Sequence, residues 1–260
     1  MTLSDDLNGC AALVEQGDPD RFLAAMAAPV DARRVLFPLY AFNVEIARAP
    51  WVTQEAMIAE MRLQWWRDAL AEIAEGGPVR RHEVATPLAD VLDRASAEQM
   101  DEAVLARRWD IYRDPFEDAA AFDAHLDRTS GHLLWAATRA LGAGAEAEAA
   151  VRQAAWAAGL AAWFQAIPVF EEAGRKPLVD GRSEAVRALA GEGLDRLKAA
   201  RQARGAIAPS ARPAMLAVWL AGPILEQAKA APERVANGSL GVSEARRKLS
   251  LMAASMTGRW

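Results

Sequence analysis

Cysteine is almost missing from this sequence. Cys10 stands alone, so no intramolecular disulfide forms, and histidines only at His82, His125 and His132 give no set spaced as a zinc site. Tyrosine is nearly missing too, two against nine tryptophans, and alanine takes the place of β-branched residues, which leaves little material for a sheet. No segment alternates apolar and polar residues over a useful strand length, no glycine-rich phosphate loop follows a strand, and no repeat of fixed period occurs. Excess positive charge is absent: the net charge is −5, and no stretch interleaves bases with aromatics, which argues against nucleic acid as a partner. Long hydrophobic runs are missing as well. The most apolar stretch, residues 154–170, is interrupted by Gly159, Gln165 and Pro168 and is short for a membrane span, so a buried core helix is expected there. The first eight residues carry Asp5 and Asp6 where a secretory leader has bases, and the expected compartment is the reducing cytoplasm.

What remains is helix-forming material in quantity. Apolar residues make up 52% and charged residues 25% of 260, the balance of a globular protein with one substantial core, and a single domain over 1–260 is expected. Turn signals divide the chain into helical blocks at Gly17-Asp18-Pro19, Ala49-Pro50, Gly76-Gly77-Pro78, Asp114-Pro115, Gly142 to Gly144, Gly174 to Gly181, Gly191 to Gly193 and Asn237-Gly238. In the block from Gln54 to Glu75, Ile58, Met61, Trp65, Ala69 and Ile73 fall on one stripe beside Trp66 and Leu70, and two glycines and a proline end it. Thr86-Pro87 and Asp114-Pro115 both read as an N-cap followed by a proline in the first turn. The fold class is all-α, a helical array.

Carboxylates four apart on a helix share a face and are the means by which a helical enzyme would hold Mg²⁺ on a diphosphate. Asp68/Glu72, Glu98/Glu102, Asp110/Asp114, Asp114/Asp118, Asp123/Asp127 and Asp180/Glu184 have this spacing, about as many as chance gives, and solvated faces are expected. The run Arg33-Arg34-Val35-Leu36-Phe37-Pro38-Leu39-Tyr40-Ala41-Phe42-Asn43-Val44-Glu45-Ile46-Ala47-Arg48 sets Asn43, Glu45 and Arg48 directly after an aromatic core segment; either these polar groups face a ligand or the arginines reach to water. In Arg62-Leu63-Gln64-Trp65-Trp66-Arg67-Asp68, Arg67 has an indole within reach for stacking, with core packing the alternative role of the tryptophans. Thr129-Ser130-Gly131 inside a helical block marks a close approach of helices or of backbone to ligand, and His132 after it reads as a hydrogen-bonded structural residue.

Taken in order, Arg34 to Arg48, Arg62 to Leu70, Thr129-Ser130-Gly131 and Gly159 to Leu178 resemble the squalene/phytoene synthase family. The resemblance runs from about Asp18 to Trp260. It implies an isoprenoid-synthase fold, helices around a central cavity that accepts two prenyl diphosphates, with two aspartate-rich segments on facing helices binding Mg²⁺ in active members. Here the first segment reads Asn43-Val44-Glu45-Ile46-Ala47-Arg48-Ala49-Pro50-Trp51 and the second Gln165-Ala166-Ile167-Pro168-Val169-Phe170-Glu171-Glu172, with Pro168 expected to break the helix. This pattern is similar to the non-catalytic branch that includes a mitochondrial complex I assembly factor and its bacterial relatives.

From that resemblance follow an assembly role with respiratory complex subunits as partners and no metal; with no membrane-spanning segment expected from the apolar runs, membrane contact is expected to be peripheral, at the inner face. Ligand-binding candidates are Arg33, Arg34, Tyr40, Phe42, Asn43, Arg48, Gln64, Trp65, Arg67, Thr129, Gly131 and Gln165. One alternative is head-to-head prenyl transfer using Glu45, Glu171 and Glu172 with Arg33, Arg34 and Arg48 on the phosphates, with Mg²⁺ needed only in that case. Another is an apolar lipid or polyprenyl carrier whose cavity is lined by Trp65, Trp156 and Trp163.

Overall fold

A computed structural model describes residues 3–53, 55–112 and 114–260. Gln54, the expected first residue of the tryptophan-bearing helix, lies outside the described residues. Fourteen α-helices occur among them: α1 (Leu3–Gly17), α2 (Pro19–Ala27), α3 (Val30–Arg48), α4 (Ala56–Glu75), α5 (Ala85–Ala89), α6 (Arg94–Ala106), α7 (Trp109–Tyr112), α8 (Ala119–Leu126), α9 (His132–Ala140), α10 (Glu148–Glu172), α11 (Ser183–Gln202), α12 (Ala221–Ala230), α13 (Glu233–Ala236) and α14 (Glu244–Thr257). A π-helical turn, Asp127–Gly131, joins α8 to α9. No strand is present among the described residues, in keeping with the alanine-rich, β-branch-poor composition.

Several boundaries follow directly from local chemistry. Asp18 accepts the Arg21 N–H at 3.0 Å ahead of Pro19, and Asp93 accepts the Ser96 N–H at 2.8 Å, each satisfying a donor that the first helical turn leaves open. Gly76 ends α4 in the left-handed region at φ 71°, which a residue without Cβ adopts cheaply. Two expected starts are displaced. Helix α5 begins at Ala85, one residue before Thr86, whose hydroxyl accepts the His82 N–H instead of capping. Asp114-Pro115 lies in irregular chain, and the cap that starts α8 is Asp118, which accepts the Ala121 N–H at 2.8 Å.

The expected break at Pro168 does not occur. Helix α10 runs from Glu148 through Pro168 to Glu172, because a proline costs its own N–H bond and crowds one carbonyl, and here it falls near the end of a helix held by burial along most of its length. Val151, Ala154, Trp156, Leu160, Trp163, Phe164, Ile167 and Phe170 are all buried, which leaves one edge of the C-terminal half of α10, at Ala162, Gln165, Val169 and Glu172, exposed. It packs against α8, α9, α11, α12 and α13, while α1 with α3 and α4 with α6 close the other side of the array. No helix among the described residues is long and apolar enough to cross a membrane.

At Thr129-Ser130-Gly131 the structure contains the close approach expected there, but the glycine that permits it is on the other helix. A Cβ on Gly159 of α10 would stand 2.5 Å from the Ser130 Oγ, and one on Gly131 would strike the Asp127 carboxylate of its own turn at 2.5 Å. Thr129 donates its hydroxyl to the His125 carbonyl at 2.7 Å, which occupies a backbone acceptor in the π-helical turn.

Candidate functional site

The residues singled out in the sequence are distributed over separate recesses. On one side of α3, Asn43 and Arg48 line a recess of about 520 Å³ together with Gly17, Asp18, Arg21, Trp51 and Arg107. Glu45 lines another, of about 470 Å³, formed with Ile58, Met61, Arg62, Trp65, Trp66 and His82. Gln64 and Arg67 line a third with Arg94, Glu98 and Asp101 between α4 and α6. Glu171 lies in a fourth beside Arg175 and Lys176, while Gln165 and Glu172 are exposed on α10.

Arg33 closes the end of α2, donating to the Ala28 and Met26 carbonyls at 3.1 and 2.8 Å, and Arg34 is exposed. Phe42 packs edge-on to Trp66 at 5.2 Å, inside the core. Arg67 does not stack on an indole: it forks onto Asp101 at 2.7 and 3.1 Å, and Arg80 lies over the Trp65 ring instead, at 5.2 Å. A carboxylate across the groove offers two charge-assisted bonds, which outweigh a partly solvated ring contact. The three tryptophans expected to share a cavity do not. Trp156 donates to Asp123, Trp163 donates to the Pro177 carbonyl from the core, and Trp65 is half-buried in the groove with Glu45.

Glu45 is held by Arg48 at 2.7 Å and Arg62 at 3.8 Å. The three acids considered as metal ligands therefore do not converge, and no group of three or more His, Cys, Asp or Glu side chains that could hold a metal occurs among the described residues. Several members of the spaced acid pairs are engaged by arginine: Glu72 by Arg80, Asp123 by Arg196, Asp127 by Arg152 and Asp180 by Arg182. Asp110 departs from the solvated face expected of it, being only 2% exposed, with Arg107 supplying a counter-charge at 3.7 Å.

Around Asp110 lies a polar interior that sequence reasoning missed. Arg107 donates to the Asn43 amide oxygen at 3.4 Å, and Arg175 donates to the Asp110 backbone carbonyl while its guanidinium rests 3.9 Å from the centre of the Trp51 ring. Arg21 pairs with Asp18 at 2.5 Å and lies 5.8 Å from the Tyr40 ring. The Tyr40 hydroxyl, the Trp109 indole nitrogen and the His125 Nε2 are buried without hydrogen-bond partners among the described residues. Burial pushes the Asp110 carboxyl up, opposed by Arg107 and Arg175, and pushes Arg107 down, opposed by Asp110. Burial also raises the Tyr40 hydroxyl. The set carries three guanidiniums, Arg21, Arg107 and Arg175, against two carboxylates, Asp18 and Asp110. Asp18-Pro19 marks a helix start, yet nothing in the sequence announces that Arg175, in a loop after α10, reaches across to α7.

Comparison with known proteins gives this arrangement its setting. Residues 14–178, more than half of the chain, match the family described as squalene/phytoene synthase. The chain is similar to the NADH dehydrogenase (ubiquinone) complex I, assembly factor 6 homolog of Drosophila melanogaster, 30% identical over 131 residues that cover 48% of this chain and 39% of that protein. It is also similar to NADH dehydrogenase (ubiquinone) complex I, assembly factor 6 of Rattus norvegicus, 25% identical over 147 residues that cover 48% of this chain and 44% of that protein. In each case the match spans less than half the length of the relative. In fold it resembles a dehydrosqualene synthase crystallised with a ligand, with a TM-score of 0.80 at 13% identity over 98% of this chain and 97% of that one. It resembles squalene synthase HpnC from Alicyclobacillus acidocaldarius as well, with a TM-score of 0.70 at 16% identity over 88% and 94%. At such identities the likeness is one of fold, and with the sequence match beside it the chain belongs to the squalene/phytoene synthase family.

Proposed function

We propose that this chain is a binding member of its family, acting in the assembly of a respiratory complex without joining prenyl diphosphates and without a metal cofactor. The observation that carries the reading is the disposition of charge around α3. A magnesium–diphosphate site needs carboxylates that share an ion at about 2 Å, presented from facing helices. Here the recess beside Asn43 is lined by Arg21, Arg48 and Arg107 with Asp18 as its acid, while Glu45 and Glu171 line two other recesses and Glu172 is exposed. Arginines can bind a diphosphate without a metal, but they offer no Lewis acid to a leaving group as its charge develops. The likeness to complex I assembly factors supports the direction of the proposal, and respiratory subunits are the partners it implies.

The test is made in cells from which the gene is deleted. Native gels should show loss of the assembled NADH dehydrogenase complex, restored by the wild-type gene, with the cellular content of squalene and phytoene unchanged. Normal assembly together with a fall in those hydrocarbons contradicts the proposal and favours the prenyl-transfer alternative.

A further inference from the structure

Helix α14 is attached to the body by one edge and leaves a second edge bare. Leu251 and Ala254 are buried, and Arg247 is ion-paired with Asp20 of α2. At about 100° per residue these three fall on one side of the helix. Opposite them stand Leu249, Met252 and Met256, which are 66%, 54% and 80% exposed, with Ala245 and Ala253 exposed beside them. Lys248 borders this stripe on one shoulder and Arg246 on the other, both exposed. Lys248 also bonds Glu244 at 2.6 Å, a solvent-facing pair that exchanges readily for another anion. Within the helix three bases stand against the single acid, in a chain whose net charge is −5.

An apolar stripe with cations on both shoulders fits a surface that is oily in its interior and negative at its edge. We propose that α14 is a membrane-docking element that lies flat on an anionic lipid bilayer. Leu249, Met252 and Met256 enter the acyl boundary, and Arg246 and Lys248 reach the headgroup phosphates. A second copy of the chain is the rival occupant, since Ala245, Leu249, Met252 and Met256 have the 4-3-4 spacing of a coiled-coil seam. Yet the seam covers only about two heptads, and the shoulder positions of a facing copy hold no acid to meet Arg246 or Lys248. The inference does not depend on whether the chain catalyses.

The experiment is flotation of the full chain with phosphatidylcholine vesicles, with and without about 30 mol% phosphatidylserine. Wild type should float with the anionic vesicles and bind neutral ones roughly tenfold less. The pair Leu249→Asp and Met256→Asp should reduce anionic binding at least about tenfold, and Arg246→Gln with Lys248→Gln should reduce it several-fold, as should raising salt to about 0.5 M. Circular dichroism confirms folding of each variant, and Met57→Asp, at another exposed apolar position on α4 that is 75% exposed, should leave binding unchanged. The inference is overturned if wild type does not float with anionic vesicles, or if Met57→Asp weakens binding as much as the α14 pair. It is also overturned if the α14 pair abolishes a concentration-dependent dimer and leaves vesicle binding intact.

Discussion

His125 shows what a single buried group does to this protein. It sits in the last turn of α8, boxed by Trp109, Phe116 and Trp163 with ring centres 5.9, 5.3 and 5.0 Å away, and its Nε2 has no hydrogen-bond partner among the described residues. Burial, reinforced by Arg107 and Arg128, pushes its pKa down from 6.5 to about 3. The folded state holds the ring neutral, while the unfolded chain binds a proton below about pH 6.5, so the contribution of this residue is fully present above that pH. It is lost as pH falls from there toward about 3, at up to about 1.4 kcal/mol per pH unit. Asp110 acts in the opposite sense, since burial raises its carboxyl and acid relieves that cost. The difference between wild type and His125→Phe therefore isolates the histidine. Urea unfolding at about pH 7, 5.5 and 4.5 should give a shallower loss for the variant, with the gap widening as pH falls. Parallel profiles would mean that the ring protonates inside the fold.

At the scale of elements, packing between helices depends on places where a side chain is missing. Gly159 lets α10 meet the π-helical turn, with Ser130 where a Cβ would be. Gly159→Ala should cost about 1–3 kcal/mol through forced displacement of that turn, whereas Gly77→Ala, with nothing within 4 Å, should stay within about 0.5 kcal/mol of wild type. Thermal unfolding of both variants checks this, and equal midpoints would show that the contact yields without strain. The sequence announced the tripeptide but could not name its partner, because Gly159 and Ser130 are brought together only by the fold. Helix boundaries were legible as turn signals, as at Gly17-Asp18-Pro19, whereas the pattern of a capping residue before a proline misplaced the starts at Thr86-Pro87 and at Asp114-Pro115, where Asp118 caps instead. Pro168 misled for a related reason. Propensity counts the hydrogen bond a proline removes, and the burial of Phe164, Ile167 and Phe170 along α10 is a tertiary term that no local rule contains.

For the whole molecule, composition carried the fold class, since little β-forming material leaves only a helical array, and the runs Arg34 to Arg48 and Arg62 to Leu70 carried the family. The interior was much less legible. Asn43 and Arg48 were marked by following an aromatic run and do line a recess, but the arginines around them come from residues 21, 107 and 175, on segments that sequence alone gave no reason to connect. Spacing placed acids on helix faces without saying which arginine would meet them, so Asp110 was read as solvated although it is buried. A reading of function as binding rests on that balance of guanidinium over carboxylate around Asp110 and Asn43. The most direct measurement is incubation of the purified chain with Mg²⁺ and labelled farnesyl or geranylgeranyl diphosphate, with and without NADPH, followed by extraction and product analysis. The account predicts no coupled diphosphate or hydrocarbon above a boiled control; product formed at ordinary enzyme rates and abolished by a chelator would contradict it.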